Sequence, residues 1–551
     1  MSSSKVQHVQ HVEGAKGSDV FDGTGSALVD LSVLLVRNGW SEQLETLFLK
    51  ALETSEDDAF VLAFQTRDIR GGKGERKLFT QMVTMLLTHR RRLMLGLLDF
   101  VPEYGCWRDL YELPGIRGEV LELMAKQLLE DDAAEGKKSL CAKWAPREGK
   151  DTPMAKELAY LLFPEETKLS QRLKRYRKFV AGLNRELDTT EIKMCARTFA
   201  EIEPAHVPGI CLAKHMKAFL NEPVRGHGLR HPDDKDRMDC RQHFKEHMEK
   251  AIKGEAKVNG AVTRYPHQVI KDIVYQSHRG EEGAAKDALV AVWNGMVANA
   301  KALGGLGRTI AMCDFSGSMH SSSNGDTPYW VSMAMGLLIS EVSSDEFKDT
   351  FLTFDSNPSW HKLPPASDIF DRVASIGPRV SQGLSTDFQK AMDLVLATLK
   401  EKRIRPGQEP KDLIVITDMA WDQACGSSER SAYTGHSYRH VVKTSPWQTH
   451  IQMIREAFKR AGEDMWGPGS GFQPPRIVIW NVAATCNDFH ATADTEGVIM
   501  LAGWSPSLFK VLTEEGARVQ TPAEALRIQL DSERYDPIRK RLASLLPVLV
   551  I

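Results

Sequence analysis

Apolar residues return every three or four positions through LETLFLKALE, KLFTQMVTMLLTH, VLELMAKQLLEDD and MAKELAYLLF, a spacing that predicts helices with one buried face. Helix follows helix in this way from about Leu31 to Ala300, without a convincing alternating strand. Glycine and proline mark the turns, in RGGKG at 70–74, VPEYG at 101–105, LPGIRG at 113–118, APREGKDTP at 145–153 and EPAHVPG at 203–209. No fixed-period motif appears, so the expectation is an irregular helical solenoid or bundle. After Gly307 the pattern changes. Strands are predicted at Arg308–Cys313, Thr350–Phe354, Asp412–Thr417, Arg476–Trp480 and Val498–Leu501, and helices at WVSMAMGLLISEVSS, Phe388–Glu401, Ile451–Ala461 and Ser507–Thr513. Such alternation predicts a doubly wound α/β domain, whose ligand loops lie beyond the carboxyl ends of the strands.

The expected divisions are a flexible amino-terminal segment at 1–30, a helical domain at 31–306 and the α/β domain with a carboxyl-terminal extension at 307–551. The stretch near 221–260 is polar, rich in His, Arg and Asp, and reads as an insertion or mobile loop. Its His227, His231, His243 and His247 lack a zincin arrangement and read as a solvated cluster.

Composition narrows the classes. Lys+Arg at 71 against Asp+Glu at 73 gives a net charge of −2, so a nucleic-acid site has to be local rather than a basic coat. The 8 cysteines include no CxxC pair, which suits a reducing compartment. The amino terminus is polar where a signal peptide is apolar, and VIMLAGW and LLPVLVI fall far short of the approximately 20 residues that span a bilayer. A cytoplasmic protein without a membrane partner is expected.

The sharpest chemical signal is Asp314-Phe315-Ser316-Gly317-Ser318, directly after the apolar strand RTIAMC. Asp314, Ser316 and Ser318 converge from one strand-end loop and offer oxygen ligands to a small hard cation such as Mg2+. GLSTDF offers Thr386 at the start of a helix, and Asp418 closes DLIVIT. Asp355 and His361, in TFDSNPSWH, border the same region but read as loop residues. Cys486 and His490 do not by themselves define a zinc site.

In the helical half, RDIRGGKGERK carries Arg67, Arg70, Lys73, Arg76 and Lys77 around a glycine run that can expose backbone N–H groups to phosphate. It is not a Walker loop, because GxxxxGK followed by Ser or Thr is absent. RLKRYRKF places Arg172, Lys174, Arg175, Arg177 and Lys178 around Tyr176, and Arg90, Arg91 and Arg92 follow another helix. Each cluster alone suits a solvated helix face; their recurrence in a nearly neutral chain favours one RNA surface.

The order DxSxS, a distant threonine in STDF and an aspartate after an apolar strand resembles the metal-ion-dependent adhesion site of a von Willebrand factor type A domain, over roughly 307–520. The resemblance implies Asp314, Ser316 and Ser318 as first-loop ligands, Thr386 as the second-loop ligand and Asp418 as a direct or water-mediated one, with a partner carboxylate completing magnesium coordination. RDIRGGKGER, then YGCWRDL at 104–110, then this domain, resembles the Ro ribonucleoprotein family, in which a TROVE domain of HEAT-like helical repeats forms a ring closed by a von Willebrand type A domain. That resemblance implies binding of small noncoding RNA and single-stranded RNA ends. It makes Arg67, Arg70, Lys73 and Arg76 RNA-contact or ring-supporting candidates, and Tyr104 and Trp107 packing residues. The expected function is a non-enzymatic RNA-binding scaffold with a cation-dependent interaction site. The alternatives are a metal-dependent protein-interaction scaffold without RNA, and a metal-dependent hydrolase or nuclease using Asp314 and Asp418, which lacks an identifiable general base.

Overall fold

A computed structural model describes residues 9–13, 19–223, 225, 228–259, 264–279, 283–302, 305–320, 325–343, 347–355, 357–365, 367–377, 388–420, 447–484, 487–512 and 520–545, without the side chains of 279, 284 and 447–453. Contacts divide the chain into two compact units, 1–59 with 264–282 and 292–532, and 60–263 with 283–291 and 533–551. The segment before residue 60 and the carboxyl-terminal extension each belong to a unit distant in sequence.

The first unit is built on a six-stranded sheet. Its strands are β3 (Thr309–Asp314), β4 (Thr350–Phe354), β5 (Trp360–Lys362), β6 (Asp412–Thr417), β7 (Arg476–Asn481) and β8 (Val498–Ala502), following an amino-terminal hairpin of β1 (His11–Glu13) and β2 (Asp19–Phe21). The spatial order is β5-β4-β3-β6-β7-β8. All neighbours are parallel except β4 with β5, which pair antiparallel at one edge. β3, β6, β7 and β8 are buried along their whole length, which is why they read as unbroken apolar runs. The architecture is a Rossmann-like doubly wound domain resembling the von Willebrand type A kind. Its chain moves from β3 outward to β4, then returns to the other side of β3 as β6, so the loops after β3 and β6 diverge at a topological switch point. Helix Pro328–Val342 packs closely behind β3, where a Cβ on Gly336 would lie 2.3 Å from Cys313 Sγ.

The amino-terminal segment, expected to be flexible, closes on the far edge of this sheet. Phe21 N–H donates to Phe489 O at 2.8 Å, Ala493 N–H to Thr24 O at 2.8 Å, and Asn481 Nδ2 to Val33 O at 2.9 Å. Val20, Phe21 and the helix Ala27–Leu34 supply the apolar surface that makes this favourable. Within it, Thr24 donates its backbone N–H (2.7 Å) and hydroxyl (2.5 Å) to Asp30 Oδ1, yet burial pushes the Asp30 carboxyl up to about 6. The folded value lies above that of the unfolded chain, so this stabilisation is full below about pH 4 and is lost as pH rises through about 6. Asp30→Asn, which keeps the acceptor oxygen, is expected to flatten the melting profile across that window and to gain up to roughly 3 kcal/mol at about pH 8. Melting temperatures of both proteins over this range test it, and parallel profiles would show that Asp30 does not set the dependence.

The second unit is helical. Helix Arg76–His89 buries Leu78, Phe79, Met82, Val83, Leu86 and Leu87 along one stripe, and Leu169–Leu187 buries Tyr176, Val180, Leu183 and Asn184. The polar stretch near 221–260 is largely not a loop. It holds the 18-residue helix Lys235–Ile252, capped by Asp234 and burying Cys240, Phe244, Met248 and Ala251. Phe244 stacks on Phe219 at 4.6 Å, and Arg237 lies over Phe199 at 3.8 Å. His243 and His247 fall off the buried stripe; the latter meets Lys257 O, and His227 lies outside the described residues. Among the described residues, no helix is long and apolar enough to cross a membrane.

Candidate metal centre

Asp314 ends β3 and Asp418 follows β6, so the switch point brings to one sheet end two carboxylates that are distant in sequence. Both are fully buried. Asp314 Oδ1 accepts Ser316 N–H at 2.8 Å, which bends the chain so that Ser316 Oγ stands 3.1 Å from Ser318 Oγ. Asp314 Oδ2 accepts the Thr417 hydroxyl at 3.0 Å, and Asp418 Oδ1 accepts Ala420 N–H at 3.1 Å. Burial, then the neighbouring Asp418 charge, pushes the Asp314 carboxyl up to about 6 despite these hydrogen bonds. Neutral donors thus leave an uncompensated electrostatic cost, which a divalent cation would relieve.

The donor set is oxygen throughout, with two carboxylates and two hydroxyls, which fits magnesium better than zinc. Thr386 lies outside the described residues, two positions before helix Phe388–Glu401 in the sequence. No group of three or more His, Cys, Asp or Glu side chains suited to a metal occurs among the described residues, so a cation here would depend on the two hydroxyls.

Other sequence candidates do not join this centre as a catalytic pair. Asp355 caps the turn after β4, accepting Asn357 N–H at 2.9 Å. His361 instead pairs across the sheet with Phe351, roughly 13 Å back along β4 at the usual strand rise, and meets Ser375 Oγ. Cys486 lies outside the described residues, and the segment at His490 is not helical. The structure reveals a different setting for His490. It is buried against the Asp418 loop, with Nε2 2.9 Å from Met419 O. The carbonyl only accepts, so Nε2 carries the proton, and burial holds the ring neutral by lowering its pKa to about 4.

The glycine-rich basic motif is a buried knot. Arg67 Nε lies 2.6 Å from Asp109 Oδ2, while Arg76 Nε lies 2.7 Å from Asp109 Oδ1. Asp68 accepts Arg70 N–H and Gly71 N–H, Gly72 N–H goes to Asp68 O, and Lys73 N–H goes to Gln65 O. These amides are consumed in closing the turn and form no phosphate nest. A Cβ on Gly72 would sit 1.9 Å from Gln65 O, so glycine is there for the close backbone approach. Arg67 and Lys73 are buried, Lys73 deeply enough that its pKa falls to about 7; Arg70 is exposed and touches Glu103 O. Arg534 Nη2 reaches Asp68 Oδ1 at 2.7 Å, and Tyr535 hydroxyl reaches its Oδ2 at 3.1 Å. Tyr104 stacks on Tyr535 at 5.7 Å and donates to Arg534 O, and Trp107 is also buried.

The second cluster is divided by its helix. Tyr176 is buried and donates to Pro146 O at 2.6 Å, which removes it as a base-stacking platform. Arg172 bonds Phe163 O and lies over Tyr160, Arg175 pairs with Glu165 and Glu166, and Arg177 with Glu148. Lys174 and Lys178 face outward, with Arg185 further along the same helix; Lys77 is exposed elsewhere. Arg91 pairs with Glu119, and Arg92 bonds Leu545 O.

Two family models match successive parts of the chain. Residues 118–306 match the family model described as Domain of unknown function (DUF2828), and residues 308–548 match Domain of unknown function (DUF7788). The chain is 25% identical over 524 residues to Uncharacterized protein L728 of Acanthamoeba polyphaga mimivirus, covering 90% of this chain and 83% of the relative. Among solved structures it is similar to the Ro (Rsr) protein of Deinococcus radiodurans, at 14% identity and a TM-score of 0.39, covering 90% of this chain and 99% of that one.

Proposed function

We propose that the protein is a non-enzymatic interaction scaffold whose sheet domain binds a divalent cation, magnesium foremost, and through it an acidic group on a protein partner. The observation that carries this reading is the buried Asp314–Asp418 pair at the topological switch point, with Ser316 and Ser318 beside it. Thr386, outside the described residues, is the second-loop ligand that the adhesion-site resemblance implies, and a partner carboxylate would complete the coordination. The cation supplies charge neutralisation and an attachment point; the chain's own residues fix its position. Hydrolysis also needs a general base for water, and the His490 ring beside the Asp418 loop is only 2% exposed.

A second reading gives the helical unit RNA, with HEAT-like repeats enclosing single-stranded ends of structured or misfolded small RNAs. The outward-facing Lys174, Lys178 and Arg185 on one helix favour it. Arg67 and Lys73 act in this reading as supports rather than phosphate contacts.

The deciding experiment uses chelator-treated full-length protein. Its melting temperature is followed against Mg2+, Mn2+ and Ca2+, with tailed RNA, blunt RNA and duplex DNA titrated alongside at several salt concentrations. Cation at about a hundredfold its Kd is expected to add roughly 3 kcal/mol to the folded state. No response to any of the three ions would sink the cation reading. The scaffold then rests on RNA only if tailed RNA binds selectively and the binding weakens with salt.

A further inference from the structure

The loop carrying Asp418 is held in a conformation that its sequence does not favour. Met419 has φ +66°, in the left-handed region that an unbranched side chain enters only under constraint, and it is fully buried. Its peptide groups are clamped from two sides. Met419 N–H donates to Thr417 Oγ1 at 3.2 Å, and Thr417 in turn donates to Asp314. On the other side, His490 Nε2–H donates to Met419 O at 2.9 Å.

His490 is fixed by the amino-terminal segment. Immediately before it, Phe489 O accepts Phe21 N–H; shortly after it, Ala493 N–H donates to Thr24 O. Asn481, at the end of β7, is tied to Val33 O. A continuous path therefore runs from residues 21–24 through the 489–493 backbone and His490 to Met419, and so to the neighbouring Asp418. All of these residues belong to the sheet unit.

We infer that His490 is a positioning residue for the cation site, and that strand β2 with Thr24 braces it, so the amino-terminal segment sets cation affinity. This rests on the cation reading above. His490 touches no ligand atom in this scheme; it fixes the angle at which the Asp418 carboxylate is presented, as outer-shell partners of metal ligands do.

The test is calorimetric titration of the full chain with Mn2+. His490→Leu fills similar space without a donor, whereas His490→Gln retains an N–H. H490L is expected to weaken Mn2+ binding about tenfold to a hundredfold, and H490Q to recover most of the loss. A role confined to filling the core predicts no such rescue. H490L binding Mn2+ as the wild type does overturns the inference and leaves the cation reading standing. A wild type that takes up no Mn2+ overturns both.

Should H490L fail to fold, hydrogen exchange of the wild type decides the matter. Mn2+ is expected to protect amides at 417–420, 489–493 and 19–24 together. Protection confined to 417–420 and the Asp314 loop overturns the inference.

Discussion

Asp109→Ala is expected to cost the helical unit about 3–5 kcal/mol, the range for stranding a buried charge. Asp109 has no exposed surface and serves two guanidiniums, Arg67 at 2.6 Å and Arg76 at 2.7 Å, while also accepting Cys106 N–H at 3.0 Å. Removing it leaves Arg67, only 4% exposed, charged and without this carboxylate in a low-dielectric interior. Arg76 is 35% exposed at its side chain and can turn toward water, so Arg76→Ala is expected to cost only about 1 kcal/mol. Denaturant unfolding of the two variants measures the difference. An Asp109→Ala loss no larger than that of Arg76→Ala would refute the keystone role of this carboxylate. Gly105 guards the same spot, since a Cβ there would approach Asp109 Oδ2 to 2.1 Å.

Asp314→Asn is expected to move affinity and stability in opposite directions. The variant retains the side-chain shape but removes one of two buried charges from the cation site, and Mg2+ affinity should fall by about a hundredfold. Without cation, the same change should stabilise the protein by roughly 1–3 kcal/mol at about pH 8. The sign follows from burial: the folded carboxyl lies above its unfolded value, so its ionisation opposes folding. Parallel melts in chelator and in Mg2+ check both halves. A variant that is destabilised in chelator and still responds to Mg2+ would contradict the assignment of Asp314 as a ligand. Natural retention of a costly carboxylate is understandable where its charge serves binding.

Much of the sheet domain was legible because its signals are local. β3, β6, β7 and β8 are apolar on both faces, and each was found to within a residue or two of its bounds. The Asp314 loop follows at once from the strand before it, and the structure brings Asp314, Ser316, Ser318 and Asp418 to one sheet end. The basic motif was harder because charge alone does not reveal burial. Arg67 finds its carboxylate 42 residues away, and the Asp68–Arg534 pair spans 466 residues. Helix Lys235–Ile252 was hidden by polar composition, although Cys240, Phe244 and Met248 already repeat at helical spacing. His490 gave no local signal at all: the carbonyl it holds belongs to Met419, and the amino-terminal backbone that anchors its segment lies at the other end of the chain.

The return of the carboxyl-terminal segment to the helical unit has a consequence for synthesis. Asp68 is made early, but its partners Arg534 and Tyr535 are added 466 and 467 residues later. At about 5–20 residues per second, that interval lasts roughly 20–90 s. Throughout it, the nascent chain carries an acidic socket and its aromatic neighbour Tyr104 without the segment that covers them, a state in which chaperones and proteases meet a protein the finished molecule no longer displays.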